Sequence, residues 1–147
     1  MTGEGIDYTN PVFRYSDGST RIMRIWDQSI QGGTPPEGIL YGAEYTEEEI
    51  NQALAAENPY DVVPSRDEDG HGTFLAGVAC GGEDAANDFI GAAPNAKIAV
   101  VKLKGAKQYL RDFFFIPDGV AAYQETDIMM AAAYLDALAH VLNMPLV

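Results

Sequence analysis

A histidine between two glycines, directly ahead of a run of small and apolar residues, constrains this chain more than any other feature. The stretch is Asp69-Gly70-His71-Gly72-Thr73-Phe74-Leu75-Ala76-Gly77-Val78-Ala79-Cys80-Gly81. The flanking glycines leave room beside the imidazole and allow backbone conformations that other residues avoid. The pattern predicts a buried helix with Thr73 as its cap and His71 at its N-terminal end. A histidine beside glycine also occurs in ordinary turns, but the whole string makes His71 the candidate for chemistry.

Charge and composition exclude several classes of function. The chain has 147 residues, enough for one domain with a core, and 22 acidic against 9 basic residues give a formal charge of -13. Such a charge argues against nucleic acid or an anionic membrane as a partner. Cys80 is the single cysteine and the two histidines lie far apart, so we expect no disulfide and no metal site. Nothing near Met1 resembles a signal peptide, no apolar run reaches the roughly 18 residues of a membrane helix, and the compartment stays undetermined.

Periodicity predicts alternating strands and helices. Strands are expected at residues 22–26, around the single tryptophan Trp26, and at 97–104, an apolar run typical of a strand buried on both faces. A surface helix is expected over 45–58, with a capping box of Thr46 and Glu49 and an apolar face that includes Ile50 and Leu54. The last helix should span 126–142. Its predicted inner side is Ile128, Met129, Ala132, Leu135, Leu138, Ala139 and Leu142, and a new strand should begin at Leu146.

Three other features allow more than one interpretation. His140 lies near the end of the last helix, where a positive charge favours the helix dipole, so we predict a structural role. The acids Glu83, Asp84 and Asp88 match no calcium loop and are expected to be solvated. Residues 105–124 carry large apolar groups, for which packing against an insert or a partner chain is one of two interpretations. They are Tyr109, Phe113, Phe114, Phe115, Ile116 and Tyr123.

A second block follows the histidine stretch, from Phe89 to Leu103. Along the chain the order is the predicted helix, then Gly-Ala-Ala-Pro, then a lysine and an apolar strand. Together the two blocks span residues 69–103 and closely resemble the histidine segment of subtilisin-like serine proteases, the subtilases. The resemblance implies an α/β chain with a partial subtilisin-like three-layer fold and a mostly parallel sheet, truncated before the serine half. It also implies His71 as general base, no cofactor, and a peptide or protein substrate for the full-length protein; substrate-binding residues stay unidentified. In the family the backbone after the strand at 97–104 borders the substrate cleft, so the second interpretation of residues 105–124 is a pocket for the peptide.

The acid and the nucleophile of the family's triad are missing from their expected places. Gly5 to Phe13 resemble the tail of the family's aspartate motif, and counting back puts Gly3 where the catalytic aspartate should stand. A second alignment matches residues 2–5 to the Thr-Gly-x-Gly before the strand, and it loses the acid too. Asp7 corresponds to the motif's second aspartate, which in the family serves structure. No Gly-Thr-Ser occurs, and all the serines, Ser16, Ser19, Ser29 and Ser65, precede His71, so the chain alone should be inactive.

These observations predict a single incomplete catalytic domain over residues 1–147, with an inserted loop and helix at about 28–64. Its closest likeness within the family is to the clostridial germination-type (Csp) branch. Half of a sheet leaves an apolar edge, so we expect self-association or a complementing chain. Two functions remain open: the N-terminal fragment of a subtilisin-like endopeptidase, or a non-catalytic subtilase-like binding or regulatory module.

Overall fold

Four strands form one sheet within residues 2–147, the part of the chain that the computed structural model describes; at residues 2 and 3 only the backbone is described. The expectation that no signal peptide begins at Met1 falls on a residue outside this described part. The strands are β1 (Thr2–Gly3), β2 (Ile22–Asp27), β3 (Ala43–Thr46) and β4 (Ile98–Lys102), and the helices are α1 (Glu47–Ala55), α2 (His71–Cys80), α3 (Gln108–Phe113) and α4 (Glu125–Leu142). The sheet order is β1-β4-β2-β3, with β3 antiparallel to β2 and the other pairs parallel.

The two central strands are buried on both faces. Successive side chains of a strand point to opposite sides, and Ile25 and Val100 belong to one apolar cluster, whereas Trp26 and Val101 belong to another. Helices α1 and α2 supply Ile50, Ala53 and Ala76 to the first cluster, and α4 supplies Ala131, Tyr134, Leu135 and Leu138 to the second. This arrangement confirms the predicted α/β class, with a mostly parallel sheet between helical layers.

Local signals place most of the elements correctly. The strand predicted at 22–26 is β2, that at 97–104 is β4, and the helix predicted over 126–142 is α4. The capping box of α1 is complete, because the Thr46 hydroxyl accepts the Glu49 N–H and the Glu49 carboxylate accepts the Thr46 N–H. The predicted start of that helix is wrong by two residues, since Tyr45 and Thr46 end strand β3.

Helix α2 differs from its prediction in burial and in its cap. Phe74 is 66% exposed, and Leu75 and Val78 are each 46% exposed, while the buried positions are Gly72 and Ala76. The face with small residues lies against the protein, and the large apolar side chains point away from it. The N-cap is Gly70 in the left-handed region, at φ 84°, and Thr73 lies inside the helix. Thr73 therefore does not cap α2.

The C-terminal part also departs from its prediction. The buried stripe of α4 is Asp127, Ala131, Tyr134, Leu135 and Leu138, which confirms Leu135 and Leu138, while the predicted Ile128 and Met129 are exposed. Two contacts hold the stripe in place: Tyr134 packs on Trp26 of β2, and Tyr41, in the loop before β3, donates a hydrogen bond to Asp127. Residues 108–113 form α3, which the sequence does not indicate. Leu146 and Val147 lie exposed outside any strand, because no strand of residues 2–147 pairs with them.

A close backbone contact attaches α2 to the segment after β1. A Cβ atom on Gly72 would lie 2.1 Å from the carbonyl oxygen of Gly5, too close for any side chain. Gly5 itself has φ 119°, and a Cβ there would lie 2.6 Å from the carbonyl oxygen of Arg66. Glycine is required at both positions, which brings the first turn of α2 against the end of β1.

A buried guanidinium joins three further segments. Arg21, 2% exposed, donates hydrogen bonds to the carbonyl oxygens of Ala96 at 2.9 Å and of Val12 and Cys80 at 2.6 Å each. Cys80 ends α2, where carbonyl groups lack partners inside the helix. Arg21 therefore ties the C-terminal end of α2 to the turn at 11–13 and to the loop before β4.

We expect Gly72→Ala to destabilise the chain by about 2–3 kcal/mol, because the methyl group must displace the Gly5 carbonyl. The matched control is Gly77→Ala in the same helix, where a Cβ meets nothing within 4 Å. That change should stabilise by about 0.5–1 kcal/mol, the ordinary helix preference of alanine. Urea unfolding of the two variants measures the difference, and equal stabilities would contradict the contact.

Arg21→Met should cost about 3 kcal/mol or more, because it leaves buried carbonyl groups without their donor. Arg111 is the control, since its guanidinium also donates to two carbonyl oxygens, those of Pro117 and Val120, but at an exposed site. Water replaces those bonds, so Arg111→Met should change the unfolding free energy by less than about 1 kcal/mol. Thermal and urea unfolding of both variants provide the comparison.

Candidate active site around His71

The N-terminal end of α2 carries His71 as its first residue, with a side chain that is 65% exposed. Two carboxylates cap the free N–H groups of this helix end. Asp69 accepts the backbone N–H of His71 at 2.9 Å, and Asp67 accepts those of Gly70 at 3.1 Å and Thr73 at 2.7 Å. The hydrogen bond from the His71 N–H lowers the pKa of Asp69, which stays charged at the positive end of the helix dipole.

The Thr73 hydroxyl fastens this helix end to the segment after β1. It accepts the Asp7 N–H at 2.8 Å and donates to Asp67 at 2.5 Å. The Asp7 carboxylate accepts hydrogen bonds from Thr9 and from the Tyr60 hydroxyl, so it holds a turn and faces other residues than His71. The structure thus places Asp7 in the structural position that the resemblance implies.

Glu4, which follows β1 directly, lies beside the imidazole. Its Oε2 atom is 3.6 Å from Nδ1 of His71, and its Oε1 atom accepts a 2.8 Å hydrogen bond from the Tyr123 hydroxyl. The glutamate side chain is 26% exposed. Burial, followed by the hydrogen bond to Glu4, raises the pKa of Tyr123 to about 12, so the phenol remains a proton donor at neutral pH. Glu4 is the carboxylate that pairs with His71.

The site lies where ligands are common in α/β proteins, at the carboxyl ends of the parallel strands. Glu4 follows β1, and Lys102 at the end of β4 donates from Nζ to the Arg66 carbonyl at 2.8 Å, in the loop before α2. The connection from β4 to α4 returns to the same edge, where Tyr123 forms an isolated bridge with Gly105. Three connections thus meet around the imidazole.

The serines occupy other environments. Ser29 and Ser65 both donate to Asp27 at the end of β2, at 2.5 Å and 2.7 Å, and Ser19 donates to Asp17 in a surface turn. Ser16 is exposed in that same turn. Among residues 2–147 no hydrogen bond joins a serine to His71. Within the described residues the structure therefore brings no serine to the imidazole.

The remaining candidates lie away from His71. His140 is exposed near the end of α4, with Nε2 3.8 Å from Asp136, one turn earlier. Phe113, Phe114 and Phe115 are 65–91% exposed. Of the aromatic segment, Phe114, Ile116 and Tyr123 help to line a cavity of about 360 Å³ that reaches the first turn of α4. Within the described residues no three acidic, histidine or cysteine side chains form a group suited to a metal ion.

A larger apolar groove lies between α2, α4 and the chain end. Its volume is about 740 Å³, and its walls include Met23, Leu75, Ala79, Leu138, Leu142 and Leu146. Cys80 also lines it, and burial raises the pKa of this thiol. No helix of residues 2–147 combines the length and the apolar character that crossing a bilayer requires.

The sequence pattern made His71 the candidate, but it did not connect Glu4 or Tyr123 with that histidine. Glu4 stands next to Gly3, the position that the alignment gives to the acid. The sequence shows this carboxylate but does not show that it faces the histidine. Tyr123 lies 119 residues from Glu4 and belongs to an aromatic segment without periodicity. Asp67 and Asp69 were equally hidden as caps, because the pattern suggested Thr73 instead.

Comparisons with known proteins show the family of this chain. The family model of the subtilases, peptidase S8, matches residues 3–144. A solved structure of the Clostridium perfringens CspB protease is similar, with 33% sequence identity and a TM-score of 0.75. The similarity covers 98% of this chain but 27% of that one, so the chain spans about a quarter of the length of the solved protein. A comparison with curated proteins gives no significant match. The chain belongs to the subtilase family.

Proposed function

We propose that this chain is the histidine-bearing N-terminal portion of a subtilisin-like serine endopeptidase, inactive by itself, with His71 as its general base. The observation that carries the proposal is the position of His71 at the mouth of α2, exposed and with Nδ1 toward Glu4. The family match and the similarity to a Csp protease support it. The domain then extends over residues 1–147 as one incomplete unit, in which β3 and α1 belong to the insert at about 28–64.

In this reaction a serine outside the described residues supplies the nucleophile. Nδ1 of His71 faces Glu4, so Nε2 on the other side of the ring takes the proton from the serine hydroxyl. The serine oxygen attacks the peptide carbonyl, and the resulting imidazolium returns its proton to the leaving amine. The substrate class is a peptide or protein, and neither a metal nor a cofactor is invoked.

A fluorophosphonate probe, which reacts with activated serines, tests this function in the longest protein that the native gene encodes. That protein should be labelled, and His71→Ala should abolish the labelling. His140→Ala is the matched control and should leave it intact, because His140 is exposed near the end of α4. The 147-residue chain alone should stay unlabelled.

The outcomes separate the two functions that the sequence leaves open. Labelling that requires His71 supports the protease. No labelling of the longer protein under any condition would reject it and favour a non-catalytic subtilase-like binding or regulatory module. The exposed apolar face of α2 would then be the natural surface for a binding partner.

We also propose that the apolar groove makes the 147-residue chain associate with itself or with a complementing chain. Leu75 and Leu146, on two of its walls, are 46% and 57% exposed, and Val141 nearby in sequence is 80% exposed. Apolar surface of this kind gains free energy when another polypeptide covers it, at about 25 cal/mol per Å² buried.

Sedimentation should therefore show concentration-dependent association of the 147-residue chain. Leu75→Glu, which puts a charge into the groove, should weaken that association. Phe115→Ser is the control, since Phe115 is 91% exposed but is not among the groove residues. A stable monomer at all concentrations would contradict the proposal.

A further inference from the structure

The feature that carries a further inference is the carboxylate of Glu4 at the inner nitrogen of His71. The resemblance places the acid of the triad at Gly3, which has no side chain, and Glu4 is the next residue along the chain. Its Oε2 atom lies 3.6 Å from Nδ1, the nitrogen on which a triad acid acts. This separation is longer than a hydrogen bond, as catalytic contacts often are before substrate binds.

A second contact fixes the orientation of this carboxylate. The Tyr123 hydroxyl donates to Oε1 at 2.8 Å, so the two carboxylate oxygens have different partners. Tyr123 is itself held at this edge by the isolated bridge between its backbone and that of Gly105. The phenol donates to Oε1, and Oε2 faces the imidazole. The Asp69 carboxylate also lies within hydrogen-bonding reach of Glu4.

We propose that Glu4 is the positioning residue of His71: it accepts the Nδ1 proton, fixes that tautomer of the imidazole and leaves the Nε2 lone pair for the nucleophile. This inference rests on the proposed function, in which His71 is the general base. It assigns to a glutamate, one residue further along the chain, the work that an aspartate performs in the family.

Two further carboxylates lie near the histidine. Asp69 is exposed, accepts the His71 backbone N–H and contacts the Glu4 carboxylate, and Asp67 accepts hydrogen bonds from Gly70 and Thr73. From β4, the Lys102 ammonium donates to the Arg66 carbonyl. Their charges contribute to the field at the imidazole, but Glu4 is the group within ion-pair distance of Nδ1.

The test is the tautomer of the neutral His71 imidazole, read by ¹⁵N NMR in the 147-residue chain at alkaline pH. The parent chain should show mainly the Nδ1–H form. In Glu4→Gln the Tyr123 hydroxyl still donates to the amide oxygen, so the amide NH₂ group turns toward Nδ1 and makes it an acceptor. The variant should therefore lose the Nδ1–H form and show mainly Nε2–H. Tyr123→Phe should lose part of the Nδ1–H population, because the carboxylate is no longer anchored.

Asp69→Ala is the matched control, because it removes the neighbouring charge, keeps Glu4 and places no new hydrogen-bond donor beside it. It should leave the Nδ1–H form in place, and His140 reports in every sample whether the conditions are equal. The inference is overturned if Glu4→Gln keeps the parent's tautomer, or if Asp69→Ala changes it as much.

The two proposals can fail separately. The tautomer measurement needs no serine, whereas the fluorophosphonate experiment depends on one. A tautomer that switches in Glu4→Gln without any labelling of the longer protein rejects the protease and retains the Glu4–His71 pair. Labelling that requires His71, together with an unchanged tautomer in Glu4→Gln, retains the protease and rejects Glu4 as its acid.

Discussion

The site depends on the contact between the Gly5 carbonyl and Gly72. Because neither residue carries a side chain, the first turn of α2 lies directly against the segment that leaves β1. Glu4 directly precedes Gly5, and His71 directly precedes Gly72. The close approach of the two backbones therefore sets the distance between the carboxylate and the imidazole.

Hydrogen bonds from side chains to backbone reinforce the same junction. Thr73, Asp67 and Asp69 occupy the open N–H groups at one end of α2, and Arg21 occupies a carbonyl at the other. A helix whose large apolar side chains are exposed gains little from burial, so these polar contacts are what hold it in place. The orientation of His71 is thus set by buried and capped polar groups rather than by a packed apolar face.

Short-range signals accounted for most of the fold and made His71 the candidate for chemistry. Apolar runs located β2 and β4, and the Thr46–Glu49 pair located α1, because each depends on residues close in sequence. The errors arose where contacts between residues distant in sequence determine the structure. Trp26 and Tyr41 select the inner face of α4, and the pairing of Glu4 with Tyr123 joins residues 119 apart. Neither contact leaves a periodic trace in the sequence.

The position of the single tryptophan has a practical consequence. Trp26 lies on the opposite face of the sheet from α2, enclosed by Tyr41 and Tyr134 at centroid distances of 5.4 Å and 5.1 Å. Its fluorescence therefore reports the docking of α4 and is insensitive to the histidine side of the molecule. A local structural change around His71 would leave the tryptophan emission unchanged. An optical probe of the site therefore has to be introduced on the face of the sheet that packs against α2.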